Sequence, residues 1–257
     1  AFIISQVVLS KNAGHYSELK NQKTVGLLSI NHWHDVPALT EAAQHSFKDK
    51  NLDLLFIITN PTEEIFIDWG QKGKTYSKER NQYQDMAREW NTYVLTERLR
   101  FSTPDKRISM MLYGRDGQLS DTYDKSHLLL GSDYWPSFIR PFYLMEKSSS
   151  KIIQTLSKLF PKLAGTAIVN LTNYTPGVSK SIAFDEVPIF TPICSEIQYP
   201  FEIKKYSDQF LPKMIFYTGG NYWIRHGLKN YINLLQNLRR IEAVSTGLPI
   251  IINGDFE

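Results

Sequence analysis

Short apolar runs rich in β-branched and aromatic residues recur along the whole chain, and they constrain its fold more than any other feature. Such runs predict β-strands, here at 2–9, 24–30, 54–58, 93–95, 108–113, 165–170, 187–194, 214–217 and 249–252. Apolar residues spaced three and four apart predict helices between them, at 36–49, 77–90, 147–160 and 231–244. The turn Arg115-Asp-Gly117 predicts a hairpin. The alternation predicts a mixed-sheet α/β layer architecture in one domain spanning residues 1–257.

The composition excludes several functional classes. The net charge of the 257 residues is +3 and basic residues form no long run, so a nucleic-acid partner is not indicated. The single cysteine, Cys194, excludes an internal disulfide framework and a multi-thiolate metal site. No run approaches the ~18–20 apolar residues that span a bilayer. Because the sequence begins inside a strand-like segment, we expect a domain of a longer protein.

Cys194 ends an apolar, β-prone run, and Glu196 follows closely. A single free cysteine is more often a buried structural residue than a nucleophile. A nucleophilic thiol must be a thiolate, which requires a nearby cation or base. Lys125 follows another β-prone stretch, and Glu63 and Glu64 follow the run at 54–58. An acid, a lysine and a cysteine, each after a strand and in that order, suggest the catalytic set of a carbon–nitrogen hydrolase.

Three segments resemble motifs of the nitrilase superfamily. Tyr123-Asp-Lys-Ser-His-Leu128 is similar to its lysine motif, Ile193-Cys-Ser-Glu196 to its nucleophile motif, and 243–253 to a late helix-to-strand segment. The resemblance spans nearly the whole chain. It implies a nitrilase-like α-β-β-α sandwich, although the strands that normally close this fold are absent from the sequence.

Within this superfamily, the chain looks most like the nitrilase-like domain of the apolipoprotein N-acyltransferase family. Asp133-Tyr-Trp-Pro136 follows the lysine motif, as an acid with aromatic residues and proline does in that family. Tyr174-Thr-Pro-Gly177 resembles its Phe-x-Pro-Gly run, and 219–223 stands where it has a Ser-Asn-Asp-Ala-Trp stretch. Here Asp133 replaces the usual glutamate.

The resemblance implies a role for each motif residue. Cys194 would form a thioester, and Lys125 would stabilise the oxyanion and favour the thiolate. Asp133 and Glu196 would be supporting acids, and His127 would support the lysine-motif loop through hydrogen bonds. The resemblance also implies a set of substrate-binding residues: Tyr134, Trp135, Phe138, Asn221 and Trp223.

A glutamate after Pro61 would be the general base. Ungapped alignment on that proline places Thr62 at the base position, a shift of one residue places Glu63 there, and a shift of two places Glu64. We favour Glu63, and both glutamates remain candidates.

The activity that the resemblance implies is transfer of a fatty acyl group from a phospholipid to the N-terminal amine of a lipoprotein. The domain would act at the periplasmic face of the bacterial inner membrane, with residues 128–162 as a lipid-facing rim. It would need no metal and no cofactor. Two alternatives stay open: a soluble amidase or nitrilase that uses water, and a catalytically silent domain that binds lipids or proteins.

Overall fold

The structure is a computed structural model that describes residues 23–30, 47, 51–59, 83–102, 105–130, 133–134, 174–218 and 229–253. These residues include a five-stranded sheet with the order β1-β2-β3-β4-β5. Its strands are β1 (Val25–Ile30), β2 (Leu54–Thr59), β3 (Tyr93–Ser102), β4 (Asp105–Tyr113) and β5 (Leu119–Asp124). The first three strands run parallel, and β4 and β5 continue the sheet as antiparallel hairpins.

A second sheet has the order β6-β7-β8-β9, formed by β6 (Ile182–Phe184), β7 (Val187–Phe190), β8 (Met214–Thr218) and β9 (Ile250–Asn253). β6 and β7 form a hairpin, whereas β7, β8 and β9 are parallel. A short 3-10 helix, Cys194–Gln198, and helix α1, Pro200–Phe210, connect β7 to β8. Helix α2, Lys229–Thr246, leads into β9.

The main core lies between the two sheets. Phe56 of β2 meets Phe216 of β8 edge to face, with the ring centroids 5.3 Å apart. On the opposite face of the first sheet, Leu55 and Val94 are buried together with Met86 from the helical residues 83–89. The two sheets therefore pack face to face with helices outside them, which places the carboxyl ends of β7 and β8 beside the first sheet.

Most of the predicted elements within the described residues are present. The hairpin prediction is confirmed at Gly117, which adopts a φ of 76° between β4 and β5. The helix predicted at 231–244 lies within α2. The strand prediction for 187–194 is wrong in its second half, because β7 ends at Phe190. The predicted strands 2–9 and 165–170 and helices 36–49 and 147–160 lie outside the described residues, apart from the buried, helical Phe47.

Two elements were not predicted, namely β6 and α1. β6 is only three residues long and too short to show a periodic pattern. The apolar stripe of α1 is short: Ile203 and Tyr206 pack on the core and Phe210 stacks on Tyr206, among charged and polar neighbours. None of the helices in the described part of the chain is long and apolar enough to cross a membrane.

Candidate active site

The site begins at a tight turn that presents Cys194 beyond the end of β7. Cys194 has a φ of 51°, in the left-handed region that residues with a side chain rarely adopt. The Tyr217 hydroxyl donates a hydrogen bond of 2.8 Å to the Cys194 carbonyl oxygen, and Ile193 forms an isolated parallel bridge with Thr218. These contacts fix the turn against the end of β8. A cysteine on an unusual, well-anchored turn is typical of a functional site.

Glu196 ties the cysteine turn to the lysine motif. Its carboxylate accepts hydrogen bonds from the Tyr123 hydroxyl, the Ser126 backbone and hydroxyl groups, and the His127 and Ile193 backbone N–H groups, at 2.7–3.0 Å. Burial by itself raises the pKa of Glu196, but the His127 ring, whose Nδ1 lies 3.9 Å from Oε1, and the hydrogen bonds from Ile193, Ser126 and the His127 N–H lower it overall. Glu196 is therefore a buried anion that clamps two loops together rather than a proton acceptor.

Lys125 is buried with an acidic partner. Its Nζ lies 2.6 Å from Asp133 Oδ2, which also accepts a 2.7 Å hydrogen bond from the Leu129 backbone. Segment 174–177 closes over this pair: the Tyr174 N–H donates to the Asp133 carbonyl and the Gly177 N–H to the Lys125 carbonyl. Burial lowers the pKa of Lys125, but a thiolate at Cys194, the charges of Asp133 and Glu196 and the Asp133 hydrogen bond raise it overall. Lys125 is thus a fixed cation.

Opposing effects act on the Cys194 thiol. Burial, the largest effect, raises its pKa, and the carboxyl groups of Asp133 and Glu97 raise it further. The charge of Lys125 and a hydrogen bond from the Ser195 backbone lower it, and the net result is a raised pKa. The resting thiol therefore keeps its proton at neutral pH, so a nucleophilic Cys194 requires a base.

The structure places several predicted site residues together and leaves others undescribed. Cys194, Lys125, Asp133, Glu196 and His127 surround one point where the two sheets meet. Tyr134 follows Asp133 and its side chain is partly exposed. The remaining predicted residues lie outside the described residues, namely Glu63, Glu64, Trp135, Phe138, Asn221 and Trp223.

His127 contributes through its backbone and its ring. Its N–H binds Glu196, its ring stacks on Tyr199 at 4.8 Å, and its Nδ1 lies 3.0 Å from the Ser126 hydroxyl. The Glu196 carboxylate, whose Oε1 lies 3.9 Å from the His127 Nδ1, raises the pKa of His127 against the lowering effect of burial. Among the described residues, no group of three or more histidine, cysteine or acidic side chains could hold a metal ion.

Glu97 is the site residue that the sequence analysis missed. It lies in β3, accepts a hydrogen bond from the Thr218 hydroxyl, and its carboxyl group interacts with both Lys125 and Cys194. The surrounding sequence, Thr96-Glu-Arg98, resembles an exposed strand edge and carries no motif. The strand's alternation could have revealed it, since Glu97 shares a face with the buried Leu95.

The fold matches solved structures of carbon–nitrogen hydrolases. A carbon–nitrogen hydrolase from Helicobacter pylori G27 is 14% identical, with a TM-score of 0.60, over 90% of this chain and 72% of that chain. The amidase from Nesterenkonia sp. AN1 is 11% identical, with a TM-score of 0.58, over 90% and 77% of the two chains, in a variant carrying acrylamide added at its active site cysteine. Another variant of it, in complex with butyramide, is 12% identical, with a TM-score of 0.57, over 90% and 75%.

No family model matches the chain, and no curated protein matches its sequence. The structural matches confirm the predicted nitrilase-like α/β fold with its two sheets. They place the chain among folds of the carbon–nitrogen hydrolase type. At 11–14% identity they define the fold and leave the substrate open.

Proposed function

We propose that this protein is a thiol-dependent enzyme that forms a thioester between Cys194 and the acyl group of its substrate. The observation that carries the proposal is the convergence of Cys194, on its left-handed turn, with the buried Lys125–Asp133 ion pair. A buried cation beside a thiol can stabilise the oxyanion of a tetrahedral intermediate, where low polarity strengthens its effect. The carbon–nitrogen hydrolases of the same fold support this chemistry.

Each residue has one role in the proposed reaction. A base removes the thiol proton, and Glu63 or Glu64 is proposed for this task. The Cys194 sulfur attacks the carbonyl carbon while Lys125 stabilises the oxyanion. Asp133 holds Lys125 in place, and Glu196 holds the cysteine turn against the lysine motif. A second nucleophile then releases the acyl group from the sulfur.

Two acceptors have specific support. Water as acceptor would make the protein an amidase or nitrilase, and the amidases of the same fold favour this reading. The N-terminal amine of a lipoprotein would make it an acyltransferase with a phospholipid donor, acting at the periplasmic face of the bacterial inner membrane. This second reading is favoured by segment 174–177, which carries part of the family resemblance and lies against Lys125 and Asp133.

The test is intact-mass detection of acyl-Cys194. Wild type is incubated with butyramide or with dipalmitoyl phosphatidylethanolamine, beside Cys194→Ala and Lys125→Ala. We expect an acyl adduct in wild type, none in Cys194→Ala, and acylation slowed by about 100-fold or more in Lys125→Ala, as for loss of an oxyanion donor. Adding a diacylated lipopeptide with a free amine then separates the acceptors, since only an acyltransferase converts it to the triacylated form. No adduct with either donor would favour the catalytically silent binding domain.

The membrane surface is proposed as a partner through residues 128–162. Within this range Leu130 is an exposed apolar residue and Tyr134 is partly exposed. Tyrosine and tryptophan side chains, here Tyr134 and Trp135, favour the lipid interface. We expect wild type to bind anionic vesicles. The double variant that combines Trp135→Ser and Phe142→Ser should bind them with lower affinity. Equal binding by wild type and the double variant would contradict a lipid-facing rim.

A further inference from the structure

Glu97 projects from the first sheet toward the cysteine turn on the second. Leu95 and Glu97 lie two positions apart in β3 and therefore share a face, and Leu95 is buried in the core between the sheets. The Thr218 hydroxyl at the end of β8 donates to Glu97 Oε2, and Thr218 bridges to Ile193, the residue before Cys194. The apolar core thus ends at a carboxyl group beside the nucleophile.

The other carboxylates described at the site are already engaged. Asp133 pairs with Lys125, and Glu196 is satisfied by the donors of the two loops it clamps. Glu97 accepts a hydrogen bond from Thr218 alone among the described residues. Its remaining oxygen is therefore available to a substrate group.

The charged and titratable groups facing Glu97 come from several elements. They are Lys125 after β5, Asp133 beyond it, Cys194 after β7 and Tyr174 of the segment 174–177. Arg98 acts from the opposite face of β3, where its guanidinium lies over the Tyr83 ring. Burial raises the pKa of Glu97 most strongly, and Asp133 adds to this; Thr218, Lys125 and Arg98 oppose it without reversing it. Glu97 therefore retains a proton at a pH where an ordinary glutamate has lost its own.

We propose that Glu97 donates a proton to the leaving nitrogen or oxygen atom as the acyl group passes to Cys194. When the tetrahedral intermediate collapses, the carbon–nitrogen or carbon–oxygen bond breaks, its electron pair goes to the leaving atom, and the Glu97 proton goes with it. The second nucleophile, water or an amine, then attacks the thioester and gives a proton to Glu97. The base returns its proton to the Cys194 sulfur as the sulfur leaves. This role rests on the proposed thioester chemistry.

The experiment compares leaving groups that need a proton with one that does not. Butyramide expels ammonia and dipalmitoyl phosphatidylethanolamine an alcohol, whereas p-nitrophenyl butyrate and p-nitrophenyl palmitate release a stable phenolate without protonation. The unactivated donor is butyramide or the phospholipid, whichever acylates wild type. In Glu97→Gln we expect the rate of acylation by this donor to fall by about 100-fold or more. The rate with the p-nitrophenyl ester of the same acyl group should change by less than about threefold. Rates come from single-turnover intact mass and phenolate release.

Glu242→Gln is the matched control. Glu242 is a buried glutamate in α2 whose pKa burial raises to about 7, and it is not among the groups that act on Cys194. We expect its replacement to leave both rates unchanged.

The outcomes separate the two proposals. If the acylation rate of Glu97→Gln falls equally with both leaving groups, or falls with neither, the role of Glu97 is overturned. The proposed thioester chemistry is not affected by that result. Acylation of wild type by the p-nitrophenyl esters alone would overturn it as well. Failure of wild type with every donor would instead contradict the proposed function itself, and the role of Glu97 with it.

Thr218→Val provides a second readout if Glu97→Gln does not fold. Because the Thr218 hydrogen bond lowers the pKa of Glu97, its removal raises that pKa. The proposed donor must be protonated, so cleavage of the unactivated donor falls as pH rises through the Glu97 pKa. We expect this decline in rate on the alkaline side of the pH–rate profile, the alkaline limb, to move to higher pH in Thr218→Val. An unchanged limb would overturn the proposal.

Discussion

The reactivity of Cys194 depends on the balance between burial and the charge of Lys125. Removing that charge in Lys125→Ala also leaves the Asp133 carboxylate without its cation beside the thiol. Both changes raise the pKa of Cys194 further. We expect iodoacetamide to alkylate Lys125→Ala about tenfold more slowly than wild type near pH 8, as for one unit of pKa, measured by intact mass.

Lys180→Ala is the control for this prediction. Lys180 pairs with Asp121 on the exposed surface at 2.5 Å. We expect its removal to leave the alkylation rate unchanged. Equal rates in Lys125→Ala and Lys180→Ala would show that the charge of Lys125 does not reach the thiol.

Glu196 makes a pH-dependent contribution to stability. Its pKa is lowered in the folded protein, so its contribution is present above the unfolded pKa, near 4.5, and is lost as pH falls through the folded pKa. Glu196→Gln can keep an oxygen on the Ser126 and His127 N–H groups only by turning its NH2 hydrogens toward the Ile193 N–H. We expect it to lower the free energy of unfolding by about 2–4 kcal/mol at neutral pH, and by much less in acid.

Urea unfolding at pH 7 and at pH 3 measures this difference. Glu202→Gln in α1 serves as the control, because Glu202 forms only a distant, exposed pair with Lys205 at 3.8 Å. If Glu196→Gln lowers the free energy of unfolding no more than this control, or by the same amount at both pH values, Glu196 does not clamp the two loops as an anion.

At the scale of elements, segment 174–177 packs too closely on β5 to accept a side chain at Gly177. A Cβ there would clash with the Asp124 Cβ and carbonyl oxygen. Gly177→Ala must therefore push the segment away from the Lys125 carbonyl, to which the Gly177 N–H donates. We expect a loss of about 1–3 kcal/mol in thermal unfolding experiments, as for other overpacked sites.

Gly247→Ala separates steric clash from backbone strain. Gly247 ends α2 at a φ of 67°, and nothing lies within 4 Å of an added Cβ. Its replacement carries only the cost of the left-handed conformation, about 1 kcal/mol. A smaller loss in Gly177→Ala than in Gly247→Ala would contradict the close packing of the segment.

The secondary-structure elements differ in how well the sequence predicts them. β1, β2, β8 and the second part of β4, residues 108–113, were predictable because each is a nearly continuous apolar run, as buried strands are. The second half of β3 was not, since Thr96 to Arg100 is polar and is held as a strand by pairing with β4. Lys125, Asp133 and Cys194 could be predicted as site residues because their motifs are local. Glu97 was not, because its partner Thr218 is 121 residues away in the chain.

At the scale of the whole molecule, an ion cluster joins the two sheets at the end opposite the site. Asp185, in the turn before β7, accepts from Lys23 at 2.8 Å and from Arg115 at 2.7 Å, and both cations also lie 3.4 Å from Asp53. Burial alone would raise the pKa of Asp185, but Lys23 and Arg115 lower it overall. Cys194 follows the same strand at its other end.

Because these side chains are partly exposed, the cluster adds a modest, salt-sensitive contribution to the core between the sheets. We expect Asp185→Asn to lower the free energy of urea unfolding by about 1 kcal/mol in dilute salt, and by clearly less in about 1 M NaCl. Its Cys194 alkylation should match wild type, since the site lies at the far end of β7. Asp208→Asn, which removes an exposed pair with Lys204 in α1, should change neither quantity. If Asp185→Asn behaves like Asp208→Asn, the ion cluster adds nothing measurable to the apolar core between the sheets.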